Sequence, residues 1–519
     1  MILNPLTKLI LTAIIVIVCF TKVSCQTETD SLIAKKINSN EVLKGSIFDA
    51  NDKSTLPYAN ITLLRKKKGV ISNEFGHFSI NISNCLETDT LRISYLGFQT
   101  QDLTIKDLRE SSVIHLKEDN FMLDNITLFG NLLDPESIVK KVLENKNINY
   151  GKTNSKKQIF LRNRYTNHMN KLNFKYNKSN FSNLDKELIK VLEKEIPKHT
   201  ISYRDFLGDV YLLHEEDSAA LKINPIKIIE LEEKSDLTEL VELENTFKEV
   251  FNNLNENEYW KIKSGIIGSK VHLDENSVSF SSEKEKTDSL TTNNPKDLFR
   301  FEKWRITNLA KFALFENEKK WDFLYNTNKY QYTLSGVTVA NGEEVYIINF
   351  QPNNKGTFVG RMYISMETFA LVRVDYKYDI GKTGMDIQLF GIGYTENKFN
   401  VSMYFEKKEN QYKLKYCSKT ESSIFSFNRS IALQKKRKRF LFDKKLNEIK
   451  IGINLIGDHE LSIEMLVIEE GSINQNQFNN FKEKERVDII YVDQFNEDLW
   501  KGYSIIEPTK QMKEYKKIN

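Results

Sequence analysis

The stretch Val42-Leu43-Lys44-Gly45-Ser46-Ile47-Phe48-Asp49, the turn-prone Asn51-Asp52-Lys53-Ser54 and then Leu56-Pro57-Tyr58-Ala59-Asn60-Ile61-Thr62-Leu63-Leu64 decide how the chain begins to fold. Ala59, Ile61 and Leu63 fall on one side of an extended segment and Asn60 and Thr62 on the other, the period-two alternation of a half-buried strand. The alternation returns at Phe78, Ile80 and Ile82 against Ser79 and Asn81, and at Leu91, Ile93 and Tyr95 against Arg92 and Ser94, closing at Gly97. Val113-Ile114-His115-Leu116 ends the unit. Several short strands separated by turn residues within 41–118 predict a small antiparallel β-sandwich.

Four blocks carry more than a fold class: Gly45 with Asp49, Leu56 to Ile61, Ser72-Asn73-Glu74-Phe75-Gly76-His77-Phe78, and Leu91-Arg92-Ile93-Ser94-Tyr95-Leu96-Gly97-Phe98. In this order and spacing they resemble the carboxypeptidase-regulatory-like domain, a transthyretin-like sandwich common in exported Bacteroidetes proteins and at the front of TonB-dependent outer-membrane receptors. The resemblance covers about 75 of the 519 residues. It implies a cell-envelope protein. In zinc carboxypeptidases this domain is accessory to the catalytic one, so the resemblance brings no active site with it. Gly76 suits a tight turn where a side chain would clash, Phe78 is the first core residue of the returning strand, and Tyr95 and Phe98 flank a glycine bend.

Residues 1–25 read as a secretory leader: a lone Lys8, the apolar run Leu9 to Phe20 broken only by Thr12, then Val23-Ser24-Cys25. The run is shorter than the roughly 20 residues that span a bilayer, so cleavage is expected and no transmembrane helix afterwards. Two fates of Cys25 stay open, removal with the leader so that Gln26 comes first, or lipid attachment, against which Lys22 stands where a lipoprotein signal carries an apolar residue. Residues 26–40 are a polar tether. The mature chain then holds only Cys85 and Cys417, in different regions, expected as buried free thiols. The formal charge of +4 becomes +2 once Lys8 and Lys22 are removed, a balance that does not call for nucleic acid.

Beyond the sandwich, residues 119–275 read as a linker strand at Phe121 to Phe129 followed by a helical region. Asp134-Pro135 is a strong helix start with Ile138, Val139, Val142 and Leu143 on one face. Leu188, Leu192 and Ile196 precede the stop at Pro197, and Leu237 to Leu254 keeps helical spacing. Sandwich, helix and then Phe160 to Tyr165 are also similar to longer Bacteroidetes proteins that carry the module. A polar loop follows at 276–298. Residues 299–508 turn β-rich: Val337 to Ala340, the turn Asn341-Gly342 and Val345 to Phe350 form a hairpin signal, and Val372, Val374, Tyr376 and Tyr378 alternate with Arg373, Asp375 and Lys377. Tyr412, Leu414 and Tyr416 alternate with Lys413 and Lys415 in the same way. A large antiparallel meander with one apolar and one charged face is expected, and the block Gly342 to Tyr378 resembles the half-barrel lipoprotein carriers of the periplasm. Phe495, Leu499, Trp500, Tyr503, Ile505 and Ile506 should dock back on the sheet before the polar tail 509–519. The fold class expected is thus mainly β with a helical middle.

The chemistry is sparse. His77, His115, His168, His199, His214, His272 and His459 show no metal-ligand spacing, and His214-Glu215-Glu216 lacks a second histidine one turn on. Phosphate-loop, dinucleotide and Gly-x-Ser-x-Gly patterns are absent, and Cys417 has no histidine partner nearby. No catalytic, cofactor-binding or metal residue is assigned. The basic runs Arg65 to Lys68 and Lys435 to Arg439 read as solvated loops, whose functional alternative is contact with anionic lipid or glycan. The expectation is an exported, non-catalytic protein of the periplasm or outer membrane that uses its sandwich as a binding or assembly module toward an envelope protein, glycan or lipid. A periplasmic carrier or sensor binding a lipid-like or apolar ligand on the C-terminal sheet is the alternative, and an accessory subunit of an envelope hydrolase, or a remote hydrolase itself, the third reading.

Overall fold

The computed structural model describes residues 41–119, 134–214, 219–232, 246, 248–251, 254–265, 267–273, 289–291, 299–340, 342–484 and 486–515. The leader, the tether, the strand expected at Phe121 to Phe129 and most of the segment Leu237 to Leu254 lie outside them. Within the N-terminal unit the strands are β1 (Val42–Asp49), β2 (Asn60–Leu63), β3 (Lys68–Ile71), β4 (His77–Asn81), β5 (Thr90–Ser94), β6 (Gln101–Thr104) and β7 (Val113–Leu116), with helix α1 (Ile105–Glu110) before the last. They form two sheets, β4-β1-β7 and β3-β2-β5-β6, packed around Ile47, Ile61, Phe78, Leu91 and Ile93. One expectation is corrected here: β1 and β7 run parallel, Ile47 opposite Ile114. The chain crosses from the second sheet through α1 and so re-enters the first in the same direction as β1, which a hairpin could not do. Gly76 has φ +76°, and a Cβ there would sit 2.6 Å from the Ile47 carbonyl oxygen, so both torsion and space demand glycine.

Helix α2 (Pro135–Glu144) follows as the sequence predicts, with the Asp134 side chain accepting from the Ser137 amide and Ile138, Val139 and Val142 buried. A short helix α3 (Lys146–Asn149) continues it, and α4 (Lys186–Glu195) is capped by Asp185. The helical middle, however, is mostly strand. β8 (Ser155–Ser179), β9 (His199–His214), β10 (Ala219–Glu232), β11 (Glu258–Ser264) and β12 (Ile267–Val271) occupy it, and β13 (Ser289–Thr291) lies inside the expected polar loop. After α5 (Arg300–Ala313) and α6 (Asp322–Tyr325) come β14 (Tyr330–Ala340), β15 (Glu343–Pro352), β16 (Phe358–Ser365), β17 (Leu371–Tyr378), β18 (Asp386–Leu389), β19 (Ile392–Lys408), β20 (Gln411–Arg437) and β21 (Lys444–Ser472). α7 (Gln475–Asn480), β22 (Arg486–Asp488), β23 (Ile490–Val492) and α8 (Lys510–Lys513) complete the chain. Asn341 is outside the described residues, but β14 and β15 pair as the hairpin signal requires and Gly342 has φ +86°.

The large sheet runs β14-β15-β16-β17-β19-β20-β21-β8-β9-β10-β23. Strand β8 pairs with β21 from Ile449–Ser179 to Ser472–Ser155, so the supposed middle region is built into the same sheet as residues beyond 299. Alternation is weak in β8 and β9 because residues 159–163 and 205–208 are buried on both faces of the sheet. The register places Val374, Met403, Cys417, Met465, Leu161 and Phe206 on one face, and Asp375, Ser402, Ser418, Glu464, Arg162 and Asp205 on the other. The first face is the apolar one, covered by Trp321, Phe323 and α5.

The second, polar face is also covered, by the sandwich and by the C-terminal segment. The rings of Tyr58 and Tyr416 lie 5.3 Å apart, and the Arg373 guanidinium lies 5.5 Å from the Tyr95 ring. The Lys415 ammonium, on the extra residue of a bulge between β19 and β20, donates to the carbonyls of Gly69 in the sandwich (3.1 Å) and Val467 in the sheet (2.7 Å). Arg162 donates two bonds to Asp205 (2.9 and 2.8 Å) and a third to the Ile506 carbonyl (3.1 Å). Trp500 packs edge-on against Phe160 at 5.3 Å, so the aromatic C-terminal segment docks back on the sheet as expected. Cys85 and Cys417 are both buried and unpaired, and burial pushes the Cys417 thiol up to about 12.

Arg162→Met, which leaves Asp205 buried and uncompensated, should cost about 3–5 kcal/mol in urea unfolding, most of it recovered when Asp205→Leu is added. Burial pushes the Lys415 ammonium down to about 8 from 10.5. Because the folded value is the lower one, the unfolded chain binds more protons between them and the Lys415 contribution to stability rises with pH across that interval. Lys415→Met should therefore flatten the stability-versus-pH curve between about 8 and 10 relative to the wild-type chain, by up to about 3 kcal/mol over the interval.

Candidate functional site

The apolar face of the sheet is not fully filled. Where β8, β9, β10, β20 and β21 pass beneath α5, a cavity of about 470 Å³ remains. Its size falls within the roughly 300–1,000 Å³ of small-molecule sites. The sheet wall is Ile159, Val210, Leu221, Phe405, Leu414 and Met465, each brought to the same face by the period-two alternation of its strand. The opposite wall is one side of α5, Ile306 and Ala310, with Leu314 just past its end.

Helix α5 is held over the sheet by a buried stripe at Glu302, Ile306, Leu309 and Ala313, spaced as a helix face requires. Glu302 accepts from Arg204 on β9 at 2.7 Å, and Arg204 also reaches Glu230 on β10 at 2.9 Å. Lys303 pairs with Glu483 at 2.6 Å. The far end is fixed by aromatic packing: Tyr150 meets Phe315 at 5.1 Å and Phe405 at 5.3 Å, both edge to face, and donates its hydroxyl to the Leu371 carbonyl at 2.8 Å. The Trp321 indole donates to the Phe312 carbonyl at 2.9 Å.

One end of the cavity is strongly basic. Lys152, Lys157, Lys311 and Lys413 line it together with His214, against Glu316 alone among the acidic residues of the lining. Lys157 pairs with Glu470 at 3.1 Å. The Lys413 ammonium donates only to neutral acceptors, the Gly151 carbonyl, Thr153 and Gln411. Lys152, Lys311 and Lys413 form no ion pair among the described residues. Burial first, and then the charges of Lys152, Lys157 and Lys413, hold His214 below the ordinary histidine value. Burial likewise lowers Lys413. The site therefore joins an apolar chamber to a positive mouth.

His214, the histidine of the His214-Glu215-Glu216 run, ends β9 half-buried at this mouth, with its amide bonded to Asn154. His168 and His199 face each other across β8 and β9 with ring centroids 5.5 Å apart, and His77 meets Ser46 at 2.6 Å. Among the described residues no group of three or more His, Cys, Asp or Glu is arranged to hold a metal. The basic run Arg65 to Lys68 is not a free loop: Arg65 pairs with Asp89, Lys66 donates to the Ser83 carbonyl and Lys68 pairs with Glu469. Sequence reasoning placed an apolar ligand on the C-terminal sheet as an alternative but could not place this cavity, because the walls from β9 and β10 lie in the region read as helical.

The positive field at the mouth has a direct readout. In an NMR titration His214 should show a midpoint below about 6.5, and Lys413→Gln should move that midpoint upward by removing one of the charges that oppose protonation.

No curated protein matches this chain. Among solved structures, the complex of Pseudomonas aeruginosa MucA and MucB is matched at 6% identity and a TM-score of 0.14, covering 62% of this chain and 94% of that one. A LolA superfamily protein from Nitrosomonas europaea is matched at 8% identity and a TM-score of 0.15, covering 68% of this chain and 99% of that one. The N-terminal unit gives a family assignment. Residues 43–128 match the model of the CarboxypepD_reg-like domain, which makes this chain a carboxypeptidase-regulatory-like domain-containing protein.

Proposed function

We propose that this protein is a non-catalytic carrier or sensor of the cell envelope, and that its cavity takes the acyl or similarly apolar chain of an anionic amphiphile. The observation that carries the reading is the cavity itself: about 470 Å³ of mostly apolar walls opening onto Lys152, Lys311 and Lys413. An apolar chain gains by leaving water at roughly 0.8 kcal/mol per methylene. A carboxylate or phosphate head at the mouth meets ammonium groups that have no ion-pair partner among the described residues. Lys413 is partly buried, so an anionic ligand beside it compensates a charge that already carries a cost.

In this reading the sandwich, first expected as the binding module, acts as a buttress. Its sheet β3-β2-β5-β6 and the loop after β5 lie against the polar face of the large sheet through Gly69, Tyr58 and Tyr95. An exported location rests on the leader pattern of Lys8 and Leu9 to Phe20. No described helix is long and apolar enough to cross a membrane.

The test is displacement of a fluorescent long-chain fatty acid from the purified chain. Binding is expected with a Kd on the order of micromolar, roughly tenfold weaker for a neutral monoacylglycerol than for the acid. Ala310→Trp, which fills the chamber from α5, should weaken fatty-acid binding at least about tenfold while leaving the thermal midpoint unchanged or higher. Absence of binding by the wild-type chain, or equal binding by Ala310→Trp, would overturn the reading.

A further inference from the structure

The second basic run, Lys435 to Arg439, also departs from its reading as a loop. Lys435, Lys436 and Arg437 belong to β20, and only Lys438 and Arg439 enter the turn toward β21. The tip of that hairpin is Phe440-Leu441-Phe442, exposed by 101%, 78% and 86%. We propose that this tip docks the protein on an anionic lipid surface, a function that stands independently of the cavity.

The tip is presented at the end of a long ribbon. β20 and β21 pair without interruption from Tyr416–Leu466 to Lys435–Asn447, and after one bulge to Arg437–Lys444. That carries the turn roughly 60–70 Å along the strands from the sandwich-covered part of the sheet. The ribbon is stiffened close to its end. Helix α4 packs Ile189 and Leu192 against Ile449, with Phe174, Tyr176 and Leu433 around them. Strand β11 then clamps the base of the turn: Glu258 pairs with Lys435 at 3.0 Å and with Arg437 at 2.8 Å, and the Tyr259 hydroxyl donates to Asp443. The three apolar side chains are thus held out by a braced hairpin.

Charge and shape select the partner. Residues 435–445 contain seven Lys or Arg and a single acidic residue, Asp443. After the clamp to Glu258 and the Lys445–Glu448 pair, the side chains of Lys436, Lys438, Arg439 and Lys444 form no ion pair among the described residues. A stable protein interface needs roughly 800 Å² from each partner, far more than a three-residue turn presents. Insertion of aromatic and aliphatic side chains by roughly 5–10 Å into the headgroup boundary needs only such a tip, with cations lying in the headgroup plane around it. Each basic residue at an anionic surface contributes roughly a fivefold gain in affinity, lost as salt rises.

The experiment is co-sedimentation of the purified full chain with vesicles of phosphatidylglycerol and phosphatidylcholine, compared with phosphatidylcholine alone. Binding to the anionic vesicles is expected, weakening with salt. It should fall at least about tenfold in the triple variant Phe440→Ser, Leu441→Ser, Phe442→Ser and in the quadruple variant Lys436→Gln, Lys438→Gln, Arg439→Gln, Lys444→Gln. As a readout that does not depend on those variants, Leu441→Trp should gain a blue-shifted emission that brominated lipid quenches beyond the wild-type response. Equal binding to neutral and anionic vesicles, wild-type binding by the folded triple variant, or a Leu441→Trp signal insensitive to brominated lipid would each overturn the proposal.

Discussion

The guanidinium of Arg162 is held along one edge by both oxygens of Asp205 and at its other amino group by the Ile506 carbonyl, buried in the middle of a sheet face. Around it, Glu464 accepts from Tyr416 at 3.0 Å, with burial raising the Glu464 carboxyl above its ordinary value, and Lys415 bridges to the sandwich. Such a polar layer persists only if every group is paired and the cover never leaves, because each charge exposed to a dry interior alone would cost several kcal/mol. The sandwich and the C-terminal segment are that cover. This dependence explains why residues near the two ends of the described chain meet: Ser79 bridges to Ile505 and Asn73 donates to the Glu507 carbonyl.

With one face committed to the sandwich, the helices are left to the other. Trp321, Phe323, Phe350 and Tyr376 fill the part near β14 to β17, with Phe323 stacked on Phe350 at 4.3 Å. Farther along, under α5, the strands present Ile159, Val210, Leu221 and Met465 and the helix presents the small Ala310, so side chains from the two layers do not meet. Dense packing on one half of the face leaves a rigid frame that holds the walls of the chamber on the other.

Much of the chain was readable in order. The sandwich strands, Gly76, Phe78, the Asp134-capped helix, the hairpin at Gly342 and the docking of Trp500 and Ile506 all follow from short-range patterns, since alternation, caps and turn torsions are properties of neighbouring residues. Strands β8 and β9 were not readable. In Ser155 to Ser179 the half near Ile159 and Leu161 is buried on both faces and shows no alternation, while in the other half Leu172, Phe174 and Tyr176 alternate with Lys171, Asn173 and Lys175 over too short a run to show which strands they join. The charged face of the meander was legible as charged. That it faces a domain and not water was not, because a lysine such as Lys415 is the same letter in either place.

By itself, then, the sequence determined the local elements and the identity of the N-terminal domain, because turns and caps impose their residues wherever they occur. It also determined the composition of the basic, apolar turn Lys435 to Phe442. Only the tertiary structure decided that β8 lies between β21 and β9, that β7 returns parallel to β1, and that α5 roofs a chamber ending in lysines. Those outcomes depend on which distant strands pair and which faces are covered, and burial of a face is a property of the assembled layers that no window of neighbouring residues contains.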